Sequence, residues 1–173
     1  MKQDTIRDRN KIALEVIESV LDELNGKNEN LTDIPENRNL SIDSFLIIVE
    51  GRRDIISLRN LGITAEIIPC ANQPAAEFCE KIAEKKKTAI ILTDWDRKGG
   101  ILASRLEIQL KNLDVPVDTS QREKLLFYSK REIKDVESLY NHVLKLREIV
   151  HGKETIEKEN GFDSVFEPES DLE

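Results

Sequence analysis

Two short stretches decide what this chain can fold into: Phe45-Leu46-Ile47-Ile48-Val49-Glu50-Gly51 and Ala89-Ile90-Ile91-Leu92-Thr93-Asp94-Trp95-Asp96. Each is an aliphatic run that stops at carboxylates, and a glycine follows (Gly51 and Gly99). An unbroken apolar run of this length fits a strand buried on both faces, as in a parallel sheet covered by helices. Open sheets of that kind bind their ligands just past the carboxyl ends of the strands. Glu50, Asp94 and Asp96 fall there. Carboxylates gathered at one sheet edge repel each other unless a hard cation or a shared proton offsets the charge. The residues themselves therefore point to a magnesium site.

The rest of the chain supports an alternating architecture. Residues 5–25 form an amphipathic helix with Ile6, Ala13, Ile17, Val20, Leu21 and Leu24 on one stripe and Gly26 as its stop. Residues 26–44 read as a polar linker, so 1–44 is an N-terminal helix plus linker. Strands are expected at Phe45–Val49, Ala65–Ile68, Thr88–Thr93 and Val115–Val117. The last is assigned to an edge because Pro116 cannot complete a central ladder. Helices are expected at 52–61, 74–86, 99–112, 120–129 and 134–150. Single helices between strands imply right-handed crossovers and an α/β fold with helices on both faces. A cation shared by Glu50 and Asp94 makes the first and third strands neighbours, which fixes the order 2-1-3-4. Residues 121–150 read as C-terminal helices packed on the 45–120 unit, and 151–173 as an acidic, flexible tail, with a docking segment through Phe162 and Phe166 as the alternative.

Charge distribution narrows the function classes. The net charge of −8 argues against a nucleic-acid partner. Yet residues 151–173 carry two lysines against eight acids, and residues 45–150 carry eighteen basic against sixteen acidic residues. The acidity lies in the flanks, and the central region remains compatible with nucleic acid. No apolar run approaches the roughly 20 residues of a membrane span. Met1-Lys2-Gln3-Asp4 opens no signal peptide, so a cytoplasmic location is expected. Cys70 and Cys79 form neither a disulfide framework nor a zinc knuckle, and His142 and His151 have no ligand spacing with them.

Glu50 at a buried strand end can ligate magnesium, or act as general acid or base; capping the next helix is its structural alternative. Asp54, one helical turn on, either extends the acid cluster or complements the helix dipole. Asp94 and Asp96 point the same way if strand geometry persists through them. Paired carboxylates suit one or two magnesium ions that take phosphate oxygens as further ligands. Gly99 and Gly100 open a helix whose bare N–H groups can approach a phosphate. Arg97 and Lys98 either neutralise that phosphate or are simply solvated. Lys130, Arg131, Lys134, Asp135 and Glu137 form a weaker group, a basic rim or a solvated helix start.

The spacing Val49-Glu50-Gly51-x-x-Asp54 after one strand, then Asp94-x-Asp96-x-x-Gly99 after a later one, resembles the Toprim domain. That domain is shared by topoisomerases, bacterial-type primases, ribosomal-RNA-maturing ribonucleases and overcoming-lysogenization-defect nucleases. The resemblance covers residues 45–120, and the size matches small stand-alone archaeal-type Toprim proteins. It implies a Rossmann-like sheet with Glu50 as acid/base, Asp94 and Asp96 as the Mg2+-binding pair, and Asp54 as a less constant acid. No segment corresponds to the tyrosine-bearing domain of a topoisomerase or to the body of an ordinary primase. The expected activity is Mg2+-dependent (or Mn2+-dependent) nuclease-like or phosphotransfer chemistry on nucleic-acid phosphodiesters, RNA or DNA. The alternative is a non-catalytic metal-binding module that grips RNA, DNA or a protein partner.

Overall fold

The computed structural model describes residues 2–27 and 41–152, with side chains from Thr5 onward. Most of the expected linker and almost all of the acidic tail lie outside the described residues. Strands β1 (Phe45–Val49), β2 (Glu66–Pro69), β3 (Thr88–Ile91) and β4 (Val117–Asp118) form one sheet in the order β2-β1-β3-β4. All three pairings are parallel. Around the sheet lie α1 (Lys2–Leu24), α2 (Arg52–Asn60), α3 (Ala75–Glu84), α4 (Arg97–Asn112), α5 (Ser120–Ser129) and α6 (Leu139–His151).

The two-residue period of a strand divides the core into two layers. On β1, Phe45, Ile47 and Val49 face α1, α2, α5 and α6, while Leu46 and Ile48 face α3 and α4. On β3, Ile90 joins the first layer, and Ala89 and Ile91 the second. All five residues of β1 are buried, as a strand covered on both sides requires. Leu14, Ile17, Val20, Leu21 and Leu24 carry the α1 stripe into the first layer. Ile6, expected on that stripe, is 51% exposed. After α2 the chain turns at Gly62, whose φ of +88° is cheap only for glycine. The Asn25 side chain spans this turn, donating to Gly62 O at 3.0 Å and accepting from Thr64 N at 2.9 Å. No helix among the described residues is long and apolar enough to cross a membrane.

Several boundaries depart from expectation (α1 begins at Lys2, α3 ends at Glu84, and β4 is Val117–Asp118 rather than Val115–Val117), and three near the strand-end acids do so because backbone groups find partners outside the regular ladder. The third strand, expected to run to Thr93, ends at Ile91. Leu92 N still donates to Ile48 O at 2.8 Å, but the Thr93 and Asp94 carbonyls turn to Arg122. Helix α4 starts at Arg97, two residues early, because the Asp96 carboxylate caps it. Helix α6 starts at Leu139 rather than 134. Its expected first turn is a loop in which Lys134 O accepts from Trp95 N at 3.0 Å and Val136 N donates to Asp94 Oδ1 at 3.2 Å.

Candidate functional site

Neighbouring strands β1 and β3 deliver Glu50 and Asp94 to the same, carboxyl edge of the sheet. Glu50 Oε2 accepts from the backbone N–H of Asp94 at 3.0 Å, so the two residues are joined across the strand ends. Asp94 Oδ1 accepts from Val136 N. Beyond these two amide contacts the carboxyls meet side chain to side chain, an acid–acid contact that a shared proton or a cation must bridge. Burial, and then the adjacent Glu50 carboxyl, push the Asp94 pKa up to about 8, against the pull of the Val136 amide. A carboxyl so placed holds a proton near neutrality unless a cation replaces it.

Asp54 lies behind this pair, buried, with Oδ2 accepting from Gly51 N at 2.9 Å to close the first turn of α2. Burial raises its pKa, the Gly51 amide opposes that, and the Glu50 charge adds to the rise. It is both a cap and part of the electrostatic cluster.

Asp96 is exposed, and its Oδ1 accepts from Gly99 N at 2.7 Å as the N-cap of α4. Because β3 ends at Ile91, strand alternation does not orient Asp94 and Asp96 alike. Among the described residues, no three His, Cys, Asp or Glu side chains form a ready-made metal cage. Arg97 and Lys98 are exposed in the first turn of α4. Gly99 differs from expectation: its N–H is taken by Asp96, and Gly100 N is taken by Asp96 O at 3.0 Å. What Gly99 provides is closeness. A Cβ there would lie 1.8 Å from the Asp94 carbonyl oxygen. Thr93 Oγ1 donates to Gly99 O at 2.8 Å and fixes the same approach.

Arg122, on α5, escaped the sequence reading. Its Nε donates to Thr93 O at 3.1 Å and its Nη2 to Asp94 O at 2.7 Å. Burial lowers its pKa, while the charges of Glu50, Asp94 and Asp96 raise it. A guanidinium aimed at backbone carbonyls leaves no spacing pattern to read. Trp95 is the other fixed point, with Nε1 donating to Ile133 O at 2.7 Å. Of the weaker group, Glu137 pairs with Arg53 at 3.3 Å, and Asp135 caps Ser138 N at 2.8 Å.

The Toprim domain model matches residues 45–120. A UPF0292 protein of Methanosarcina barkeri is 46% identical over 102 residues, covering 59% of this chain and 71% of that protein. One from Pyrococcus abyssi is 48% identical over 100 residues, covering 58% of this chain and 75% of that protein. A solved structure from Aquifex aeolicus superposes with a TM-score of 0.53 at 21% identity, covering 70% of this chain and 95% of that one, which shows the fold alone. Toprim domains generally bind divalent metal and are often associated with nucleic acids. With the paired strand-end acids, the sheet order and these relatives together, the chain belongs to the UPF0292 family of small Toprim-domain proteins.

Proposed function

We propose that this protein is a Mg2+-dependent Toprim protein acting on phosphodiester bonds of nucleic acid, in a nuclease-like or phosphotransfer reaction. The observation that carries the reading is the contact between Glu50 and Asp94, two carboxyls from adjacent strand ends that meet each other side chain to side chain. The donor set fits the ion: magnesium, or manganese, is held by one or two carboxylates and keeps water and phosphate oxygens for its other positions. Glu50 and Asp94 would hold it, and Asp96 would join when its free oxygen is drawn in from the α4 cap. A bound divalent ion supplies charge neutralisation for phosphate oxygens. Glu50 is the residue that moves a proton, since it lies at the cluster's centre beside both Asp54 and Asp94. Arg97 and Lys98, exposed beside the pair, engage the nucleic-acid backbone, and Gly99 keeps the α4 start close to Asp94.

The second reading, a metal-binding module that grips nucleic acid or a protein without turnover, is favoured by the engagement of Asp96 as a cap. Two measurements separate the readings. Calorimetric titration with Mg2+ should give binding to the wild type and none to Asp94→Asn. Incubation with labelled single-stranded and structured RNA and DNA should give Mg2+-dependent products that vanish in Glu50→Gln and Asp94→Asn. Ion binding and salt-sensitive nucleic-acid affinity without product would select the second reading. Unchanged turnover in both variants would remove the assigned roles.

A further inference from the structure

On the first core layer's outer side, α1, α5 and α6 enclose a groove of about 480 Å³ whose lining includes neither Glu50 nor Asp94. Its walls combine two chemistries. Ile6, Ile12, Phe127 and Ile149 are large apolar side chains left exposed around it, Phe127 by 67%. Arg9, Lys130, Arg131 and Lys145 line it against the single acid Glu132. None of these four cations is in an ion pair with a carboxylate among the described residues. At the base lies His142, 7% exposed, whose Nε2 is buried without a hydrogen-bond partner among the described residues. A buried ring nitrogen left open is costly, and an extended peptide supplies either the N–H or the C=O that would satisfy it.

We propose that residues 153–173 of this chain dock in that groove as an acidic-aromatic peptide, with Phe162, Val165 and Phe166 among the exposed isoleucines and Phe127, and the acids against the cations. The charges are complementary: the segment holds two lysines against eight acids. The attachment point is also right, because α6, which lines the groove through His142, Lys145, Leu146 and Ile149, ends at His151 where the segment begins. Folding back from His151 to His142 covers about 14 Å of helix. The run from Gly152 to Phe162 reaches about 33 Å when extended. Tethering raises the segment's local concentration to the millimolar range, so a weak individual affinity suffices. A groove built for nucleic acid would not need three exposed isoleucines, which have no counterpart in a phosphate backbone.

The test uses the full chain. Backbone amide spectra are recorded for the wild type, for Phe162→Ala with Phe166→Ala, and for Arg131→Glu with Lys145→Glu. The tail substitutions should shift signals of residues 127–132 and 142–149, and the groove substitutions should shift signals of 153–173. Glutamyl-specific proteolysis after Glu157 and Glu159 should accelerate about tenfold in both variants. Signals in each region that ignore substitutions in the other, with unchanged cleavage rates, would refute the proposal. Shifts that grow with protein concentration would assign the segment to the groove of a second copy and refute it too. So would a single-stranded oligonucleotide that moves the groove signals equally in the wild type and the tail variant. Because no substitution touches Glu50 or Asp94, failure here leaves the proposed reaction untouched.

Discussion

A methyl group on Gly99 would sit 1.8 Å from Asp94 O and 2.5 Å from its carbonyl carbon, so Gly99→Ala has to push α4 away from the strand end. The obstacle is backbone, which cannot rotate aside, and the cost should be about 3 kcal/mol in urea denaturation. Gly100→Ala is the control: its nearest neighbour is the Arg122 guanidinium at 3.8 Å, an ordinary contact. In a helix interior that change should be neutral or stabilise by up to about 1 kcal/mol. Asp94 makes a pH prediction. Its pKa rises from 3.8 to about 8 in the folded protein, so between those values the native state binds more protons than the unfolded chain. Stability without divalent ion should therefore fall as pH rises from about 4 to about 8 and level off above that. Asp54, raised as well, adds to the same slope. Asp94→Asn should flatten it, as read from melting temperature against pH; an equally steep slope in the variant would place the proton elsewhere.

At the scale of elements, the site is a β1–β3 edge clamped by α5 and by the loop between α5 and α6. The strand-end acids could be read from the sequence, because an aliphatic run that stops at a carboxylate is a local pattern. The clamp could not. Arg122 acts on two carbonyls, Trp95 on the Ile133 carbonyl, and Val136 through its amide, and none of these partners shows in side-chain spacing. For the same reason the helix expected over 134–150 starts too early: Val136 is buried in the same layer as Leu139, Val143 and Leu146, although it precedes α6. The helical stripe recorded burial and not backbone bonding. Arg122→Met keeps the length of the side chain and removes its fork, leaving two carbonyls with lost charge-assisted bonds. It should cost about 2–3 kcal/mol. It should also enlarge the melting-temperature gain on adding Mg2+, since a positive charge beside Glu50, Asp94 and Asp96 would be gone. A smaller gain than the wild type's would show that the guanidinium's hold on the Asp94 backbone matters more to the ion than its charge does.

For the whole molecule the question is whether α1 belongs to the sheet's core or rests on it. Residues 1–44 precede the 45–120 unit in the sequence, and the apolar cluster runs without a break from Ile17 and Leu24 through Phe45 and Ile47 to Leu125, Val143 and Leu146. Polar contacts follow the same path, with Arg147 Nε donating to Glu18 at 3.0 Å and Lys124 pairing with Glu23 at 3.4 Å. Those pairs, still open to solvent, add little by themselves. The burial decides the matter: Ile17, Val20 and Leu24 are all 0% exposed, which an arm held by surface contacts would not show. Ile17→Ala should therefore destabilise the protein by about 3–4 kcal/mol, the loss of buried methyl groups plus a cavity that the sheet cannot close. Two probes check the unit's extent: helical circular dichroism, and the fluorescence of Trp95, the chain's one tryptophan, buried beside the site. A shared core predicts that both lose signal in a single urea transition, moved to lower urea with its slope unchanged. Were α1 a separate layer, the helical signal of Ile17→Ala would fall first and Trp95 would unfold at the wild-type urea concentration. The clamp on Asp94 would then be independent of the N-terminal helix, and only α5 and α6 would be needed to hold it.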